Sequence, residues 1–547
     1  MHGGSVSSRS SVWVWAIASI LIAALLLRLH GIAFGLPSLN DPDELIFELG
    51  AMRMLRSLTL NPGWFGHPAT TTMEVLAFIN ASVMGTGYLA GRFSSANDFV
   101  QAFYHQPGWV ILPGRIAMAL FAVGTVALVY RLASALFDRP TGLVAAALLA
   151  VNPVHIAYAQ LIRSDMMACF FMMLCLLAAL RIVRHGRWRD YLWASLWLGL
   201  AIATKWPFAL TALAIGCAFL LRMRTHPEER RPAFVRVAAC FAMALVFLLL
   251  ASPYLLLDHV TMLRDVRGEA QVHHLGATGG SPLENGWWYL RHPLLGGLGV
   301  AGSVFVAWGT ALLARRREAI VIVVPLAIAF FLLLCLQNLV WERWALPLMP
   351  LAAIVAAPAF VAACRWLFNR FSRRTAVAGI TALLVATLLP PAFAAGTLAR
   401  ERLNDTRQQA TGWAAAHIPA GSTVMVEQFA FDLLPNPWHL LFPLGDAGCM
   451  DVRATLAGQV KYDAISAARG SRAIVDYGTM TPAKRDTCRA DYAILTQYDR
   501  YRAERSAFPT EYAAYQSLID EGTVVATFAP VAGQSGGPIV RIVRFAK

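Results

Sequence analysis

The chain has 547 residues, 57% of them hydrophobic and 14% charged, with a mean hydropathy of +0.54. A soluble protein of this length would have to hide far more apolar surface than a single core holds, so the composition excludes that class and points to a polytopic membrane protein. The net charge of +14 is mostly arginine gathered in alternate loops, which argues for anchoring at anionic headgroups and against nucleic acid as a partner.

A window of about 20 residues, enough to cross roughly 30 Å of hydrocarbon, places spans near 12–30, 111–131, 141–158, 165–183, 190–204, 206–222, 234–255, 293–314, 319–338, 345–364 and 375–396. The stretch from Val12 to Leu29 is too long for a cleavable signal peptide and lacks a small-residue cleavage site, so it is expected to stay as the first span. The first outer loop, 31–110, contains a further apolar stretch at 73–90. If that stretch crossed, every later arginine loop would face the wrong side, so it is read as interfacial or re-entrant. The arginine loops are Arg131 with Arg139; Arg181, Arg184, Arg187 and Arg189; Arg222, Arg224, Arg230 and Arg231; Arg315 to Arg317; and Arg365, Arg370, Arg373 and Arg374. By the positive-inside bias they are cytoplasmic. The N-terminus is then cytoplasmic, and an odd number of spans sends the C-terminus outside. A bacterial inner membrane, with the tail in the periplasm, is the expected setting.

Beyond about residue 400 the composition changes. Segments Ser422–Glu427, Arg472–Asp476, Asp491–Thr496, Thr523–Phe528 and Ile539–Phe545 read as short strands with helical stretches between them. The expected organisation is a mostly α membrane bundle over 1–399 followed by a soluble α/β domain over 400–547. Of the eight cysteines, all but Cys449 and Cys488 fall in spans, where cysteine behaves as a small apolar residue. An oxidising compartment for the tail leads to an expected Cys449–Cys488 disulfide, which the chain-entropy treatment values at roughly 4 kcal/mol. The alternative is two unpaired buried thiols.

The loop after the first span reads Asn40-Asp41-Pro42-Asp43-Glu44, followed by a helical stretch to Leu58 and by Phe65-Gly66-His67-Pro68. Pro42 holds Asp41 extended and suits a first helical turn, so Asp41 is an expected N-cap with Asp43 and Glu44 on the turn after it. Acids there also complement a helix dipole with no further role. Other isolated polar residues stand at the same ends of spans: Arg115, His155, Arg163 with Asp165, Lys205, the loop residues His273 and His274, and Glu342 with Arg343. A charge near hydrocarbon costs about 3 kcal/mol or more unless paired or hydrated, which makes such residues functional candidates. Lys205 taken alone reads as a snorkelling side chain, and Arg163 with Asp165 as a tie between helices. A ring of such residues around one acidic loop implies a charged pocket. Gly297 to Gly302 matches GxGxxG but lies inside a span with no strand before it, where glycines serve close helix packing. No phosphate loop, CxxC pair or HExxH is present, so no nucleotide cofactor is expected.

These residues resemble the GT-C superfamily of membrane glycosyltransferases, in particular the group containing protein O-mannosyltransferases and bacterial lipid A aminoarabinose transferases. Asp43-Glu44 is similar to that family's acidic pair, Phe65-Gly66-His67-Pro68 to its His/Lys-Pro-Pro segment, and Arg115-Ile116-Ala117 to the arginine opening its second span. Arg163-Ser164-Asp165, Thr204-Lys205, His274-Leu275-Gly276 and Arg343-Trp344-Ala345-Leu346-Pro347 resemble its later motifs in order, and Asp405-Thr406-Arg407 its tail opening. Two positions depart from the pattern: Ala69 stands where a second proline would follow Pro68, and Gly66 stands where the aminoarabinose transferases carry an acid.

The resemblance implies a sugar donor carried on a polyprenyl phosphate, with inverting transfer at the outer face. The acceptor is a hydroxyl of a glycolipid, polysaccharide or protein, and membrane lipids surround the chain. On this reading Asp43 is the general base, and Glu44 orients the acceptor or holds a cation. Arg115 binds the donor phosphate with Lys205 and Arg343 behind it. His67, Arg163, Asp165 and His274 line the pocket, and Glu44 and His274 are candidate ligands for a divalent metal. A lipid-linked substrate transporter or flippase is the alternative, and a non-catalytic assembly protein a third reading. Transporters usually carry paired repeats with broken helices, and no internal duplication is visible.

Overall fold

The computed structural model describes residues 5–427, 431–457, 468 and 474–546. The first span is α1 (Ser5–Leu29), and the loop after it carries α2 (Asp43–Ser57), α3 (Thr70–Leu89) and α4 (Ala96–His105). Then follow α5 (Gly108–Leu136), α6 (Arg139–Ala150), α7 (Pro153–Ala159), α8 (Ser164–Arg184), α9 (Trp188–Thr204), α10 (Ala212–Thr225) and α11 (Arg230–Ala251). Short α12 (Tyr254–Leu257) and α13 (His259–Glu269) precede α14 (Pro282–Tyr289), α15 (Leu295–Leu313), α16 (Arg317–Cys335), α17 (Leu348–Arg370) and α18 (Arg373–Leu403).

Among the described residues nine helices are long and apolar enough to cross a membrane, or up to 10 if the bent pair α6–α7 is one span. That pair covers the expected span 141–158, and its 62° bend has a local cause. Pro153 cannot continue the ladder of α6, Asn152 is extended before it, and the Asn152 side chain caps α7 by accepting from His155 N at 2.9 Å. Helix α9 has 17 residues. It still runs the full length of its neighbour: Lys205 after it meets Asp165 at the start of α8 (2.6 Å), and Asp190 near its start meets Arg181 at the end of α8 (2.8 Å). Helix α3, over the ambiguous stretch 73–90, is not among the helices apolar enough to cross. It packs on α2, with Asn80 donating to Glu48 at 2.7 Å.

The glycines of 297–302 do serve packing. The Asn152 amide donates to the Gly297 carbonyl at 2.8 Å, and Gly299 (φ 67°) kinks α15. At Gly309 an added Cβ would lie 1.9 Å from the Val355 carbonyl oxygen, so α15 and α17 approach backbone to backbone.

The tail opens with α19 (Thr406–His417) and builds a six-stranded sheet from β1 (Thr423–Val426), β2 (His439–Pro443), β3 (Cys449–Asp451), β4 (Tyr492–Leu495), β5 (Gly522–Phe528) and β6 (Val540–Phe545), in the order β3-β2-β1-β4-β6-β5. Its centre is parallel (β2, β1, β4) and its edges antiparallel. Four expected strands are present, whereas β2 and β3 were not foreseen. Of the expected strand Arg472–Asp476, residues 472 and 473 lie outside the described residues, and Ile474–Asp476 is not a strand. Cys449 on β3 is disulfide-bonded to Cys488, with their Cα atoms 5.0 Å apart.

Candidate active site

The site begins at the entry to α2. Pro42 is the N-cap residue and offers no side-chain cap, so the expectation of Asp41 as N-cap is corrected. Asp41 accepts from the Asp43 N–H at 3.1 Å, and both its oxygens lie 2.9 Å from Arg163 Nη2. Asp43 Oδ2 accepts from Arg163 Nη1 at 2.6 Å and lies 3.8 Å from Arg343 Nη1. Burial raises the Asp43 carboxyl, but the charges of Arg163 and then Arg343 outweigh it and hold it at about 2. Asp43 is therefore ionised, its side chain 37% exposed.

Glu44, one residue further, turns the other way. Its carboxylate takes a two-pronged pair from Arg115, Nε to Oε1 at 2.8 Å and Nη2 to Oε2 at 2.7 Å, and Oε1 also accepts from Ile162 N at 3.0 Å. The remaining Arg115 donor, Nη1, serves the carbonyls of Ile32 and Phe34 at 2.8 Å each. Both side chains are 0% exposed. The pair is enclosed on both sides, away from any face a ligand could reach, which goes against the expectations of Arg115 as phosphate binder and of Glu44 as an orienter of the acceptor or a metal ligand. The pair ties the first outer loop to α5.

The opposite wall comes from loops stitched together by backbone bonds. Phe65 N donates to Asp265 on α13 at 2.9 Å, Trp206 N to the His67 carbonyl at 3.0 Å, and Ala69 N to the Thr204 carbonyl at 3.2 Å. These bonds set His67 beside Lys205, whose Nζ donates to Asp165 at 2.6 Å. Burial first, then the charges of Lys205 and Arg343, push the His67 pKa well down, so the ring is neutral, and its buried Nδ1 has no hydrogen-bond partner among the described residues.

The two departures from the family pattern have physical reasons. Ala69 has φ 60° and a donating N–H; proline, locked near −65° with no N–H, could supply neither. At Gly66 an added Cβ would lie 2.5 Å from the Trp64 ring and 2.8 Å from Glu269 Oε1. Glu269, at the end of α13, thus brings a carboxylate to the space a side chain at 66 would claim, and its Oε2 is 3.9 Å from His67 Nε2. Burial raises the Glu269 carboxyl. Sequence reasoning missed Glu269, since nothing in its own segment marks it.

Arg343 completes the ring. Its guanidinium lies 4.5 Å from the Trp341 ring centroid, and among the described residues it donates no hydrogen bond; Nε is buried and unpartnered. Burial and then repulsion from Arg163 lower its pKa, as befits a cation short of anions. Trp341 also meets the His274 ring edge-on at 5.0 Å between centroids. His274 lies on this rim, with Nδ1 3.1 Å from the Leu275 carbonyl. It shares no ligand geometry with Glu44, so the expected metal pair is corrected. Among the described residues only His226, Glu228 and Glu229 are grouped as metal ligands would be, beside the arginine loop after α10, and Arg222 pairs with Glu229 at 2.7 Å. His155 is buried elsewhere, against Arg28 Nη2 at 2.8 Å.

Asp43, Arg163, Arg343, Asp165, Lys205 and His67 therefore meet at one face of the bundle, at the helix ends opposite those that carry the arginine loops. This bundle with its sheet domain is the GT-C fold of membrane glycosyltransferases, as comparison with solved structures shows. The apo ArnT of Cupriavidus metallidurans aligns over 98% of each chain with 17% identity and a TM-score of 0.52. The same protein bound to undecaprenyl phosphate aligns over 97% of this chain and 98% of that one, at 15% identity and a TM-score of 0.51. The archaeal oligosaccharyltransferase AglB from Archaeoglobus fulgidus, in complex with an inhibitory peptide and a dolichol-phosphate, aligns over 96% of this chain and 74% of that one, at 12% identity and a TM-score of 0.52. In sequence, residues 99–256 match the dolichyl-phosphate-mannose-protein mannosyltransferase family. Comparison with curated protein sequences gives no match.

Proposed function

We propose that this multi-pass membrane protein is an inverting glycosyltransferase. It would move a sugar from a polyprenyl-phosphate carrier to an acceptor hydroxyl at the periplasmic face of a bacterial inner membrane, with the domain beyond about residue 400 on that side. The observation that carries the reading is Asp43, ionised and solvent-reachable, set between two guanidinium groups, of which Arg343 donates no hydrogen bond among the described residues.

The chemistry needs both signs at one place. As the bond from sugar C1 to the phosphate oxygen breaks, charge grows on the phosphate, and preorganised cations in a water-poor site stabilise it. Arg343 takes the part first assigned to Arg115, with Arg163 beside it and Lys205 anchored by Asp165. Asp43 receives the acceptor's proton as the acceptor oxygen attacks C1. His67, neutral and with an unpartnered Nδ1, can accept a hydrogen bond from a sugar hydroxyl. Support for a lipid-borne donor is the location, at the ends of helices long and apolar enough to cross a membrane.

Release of polyprenyl phosphate by the purified protein in reconstituted vesicles tests this. Asp43→Asn is expected to cut release by roughly 10²–10⁴-fold, the usual contribution of a general base, while the protein stays folded with a modestly lowered melting temperature, since the ionised carboxyl pairs with Arg163. Near-wild-type release from that variant removes Asp43 from the role. Movement of the lipid across the bilayer with no sugar released would establish the flippase alternative, to which the broken pair α6–α7 is the one structural pointer.

A further inference from the structure

We propose that Asp43 is the resident counter-ion of the phosphate seat, and that donor binding exchanges it: the donor's phosphate takes over Arg163 and Arg343 and frees the carboxylate to face the acceptor hydroxyl. This rests on the transferase reading and adds to it an order of events.

Arg163 is nearly saturated. Nη2 is 2.9 Å from each Asp41 oxygen, Nη1 is 2.6 Å from Asp43 Oδ2, and Nε is buried and unpartnered. A phosphate is held best by a two-pronged guanidinium fork, and Arg163 cannot present one until an aspartate leaves. Arg343 is in the opposite state. It lies 3.8 Å from the same Asp43 oxygen, too far for a hydrogen bond, and the Trp341 ring at 4.5 Å fixes its plane. The two arginines together lack one anion, and Asp43 stands in for it imperfectly.

Asp43 is the carboxylate fitted to leave. Among the described residues it holds Arg163 through a single hydrogen bond, and its side chain is 37% exposed. Asp41 holds Arg163 through both oxygens, accepts the Asp43 N–H as well, and is 18% exposed. Once exchanged, Asp43 no longer shares its lone pair with Arg163 and can take a proton. The bond from C1 to the phosphate oxygen then breaks with its electrons going to the phosphate, which leaves as the dianion on Arg163 and Arg343. The acceptor oxygen bonds to C1, and its proton passes to Asp43. Until the donor is seated the base stays tied down.

A base with no counter-ion role can be lost without effect on phosphate affinity. A counter-ion that competes for the seat cannot. The dissociation constant of polyprenyl monophosphate is therefore measured in nanodiscs for wild type, Asp43→Asn and Asp43→Ser, with Glu318→Gln, an equal charge change beside Arg184 at the other end of the bundle, as control. Both Asp43 variants are expected to bind about tenfold tighter or more, the worth of one charge-assisted hydrogen bond, and Glu318→Gln to bind as wild type. Equal or weaker binding by the Asp43 variants, or equal tightening by Glu318→Gln, overturns the exchange and leaves the transferase reading standing. Failure of every form to bind the lipid phosphate overturns both.

Discussion

Glu44 directly follows Asp43 in the chain, yet it turns to Arg115 and the two neutralise each other in a fully buried pair. Spacing along the chain could not separate Glu44 from Asp43, because adjacent residues at a helix start differ by about 100° in direction and only the fold says which direction is the pocket. Removing one partner of a fully buried pair strands the other charge, at a typical cost of 3–5 kcal/mol. Arg115→Ala is accordingly expected to lower the melting temperature sharply while the surviving folded fraction keeps its affinity for polyprenyl phosphate. A stable Arg115→Ala protein with weakened lipid-phosphate binding would return Arg115 to the site. Glu48 makes the same point from the next turn of α2. It is fully buried, its hydrogen-bond partner among the described residues is Asn80, and burial lifts its carboxyl to about 8, so it sits neutral in the wall of the site.

At the scale of elements, the site is held by loops that bond to one another and not by any one helix. The segment His67-Pro68-Ala69 pairs with Lys205 and its neighbours, and the strand-like bridge Thr278 to Leu339 joins the His274 loop to the Arg343 turn. Position 69 carries much of this, since it needs a left-handed backbone and an N–H together. Ala69→Pro should therefore unseat the 67–69 segment and cut transfer at least about tenfold, whereas Ala69→Gly, free of the roughly 1–2 kcal/mol penalty of that conformation, should hold or raise the melting temperature. Equal activity in the two variants would show that the segment does not position Lys205. The missing second proline was visible in the sequence as a departure, but its meaning was not, because φ is not written in the residue type alone.

At the scale of the whole molecule, the sheet domain bonds to two of the loops around the site, at 38–40 and at 275–276. Arg407 Nη1 donates to the Asn40 carbonyl at 2.7 Å, Asp432 takes the Ser38 hydroxyl, Arg500 donates to the Leu275 carbonyl at 2.9 Å, and Gly276 N donates to Glu504 at 2.8 Å. Those bonds require the domain and the pocket to share one side of the membrane. A cysteine introduced at Gly421 should react with an impermeant maleimide in intact spheroplasts, and one at Arg316 only after permeabilisation; the reverse pattern would invert the orientation and place the pocket on the wrong side for a lipid-linked donor made for export. Most of the spans, the change of character beyond about residue 400 and the roster of charged candidates were legible in the sequence, because hydrocarbon tolerates only long apolar helices and punishes every stray charge. Strand β2, whose His-Leu-Leu-Phe-Pro run fits no single period, and edge strand β3, only three residues long, were not legible. Nor was the pairing of the charges: that Glu44 closes on Arg115, that Asp43 is shared between Arg163 and an unsatisfied Arg343, and that Glu269 fills the space at Gly66 are outcomes of distance and direction in three dimensions, which the tertiary structure alone decides.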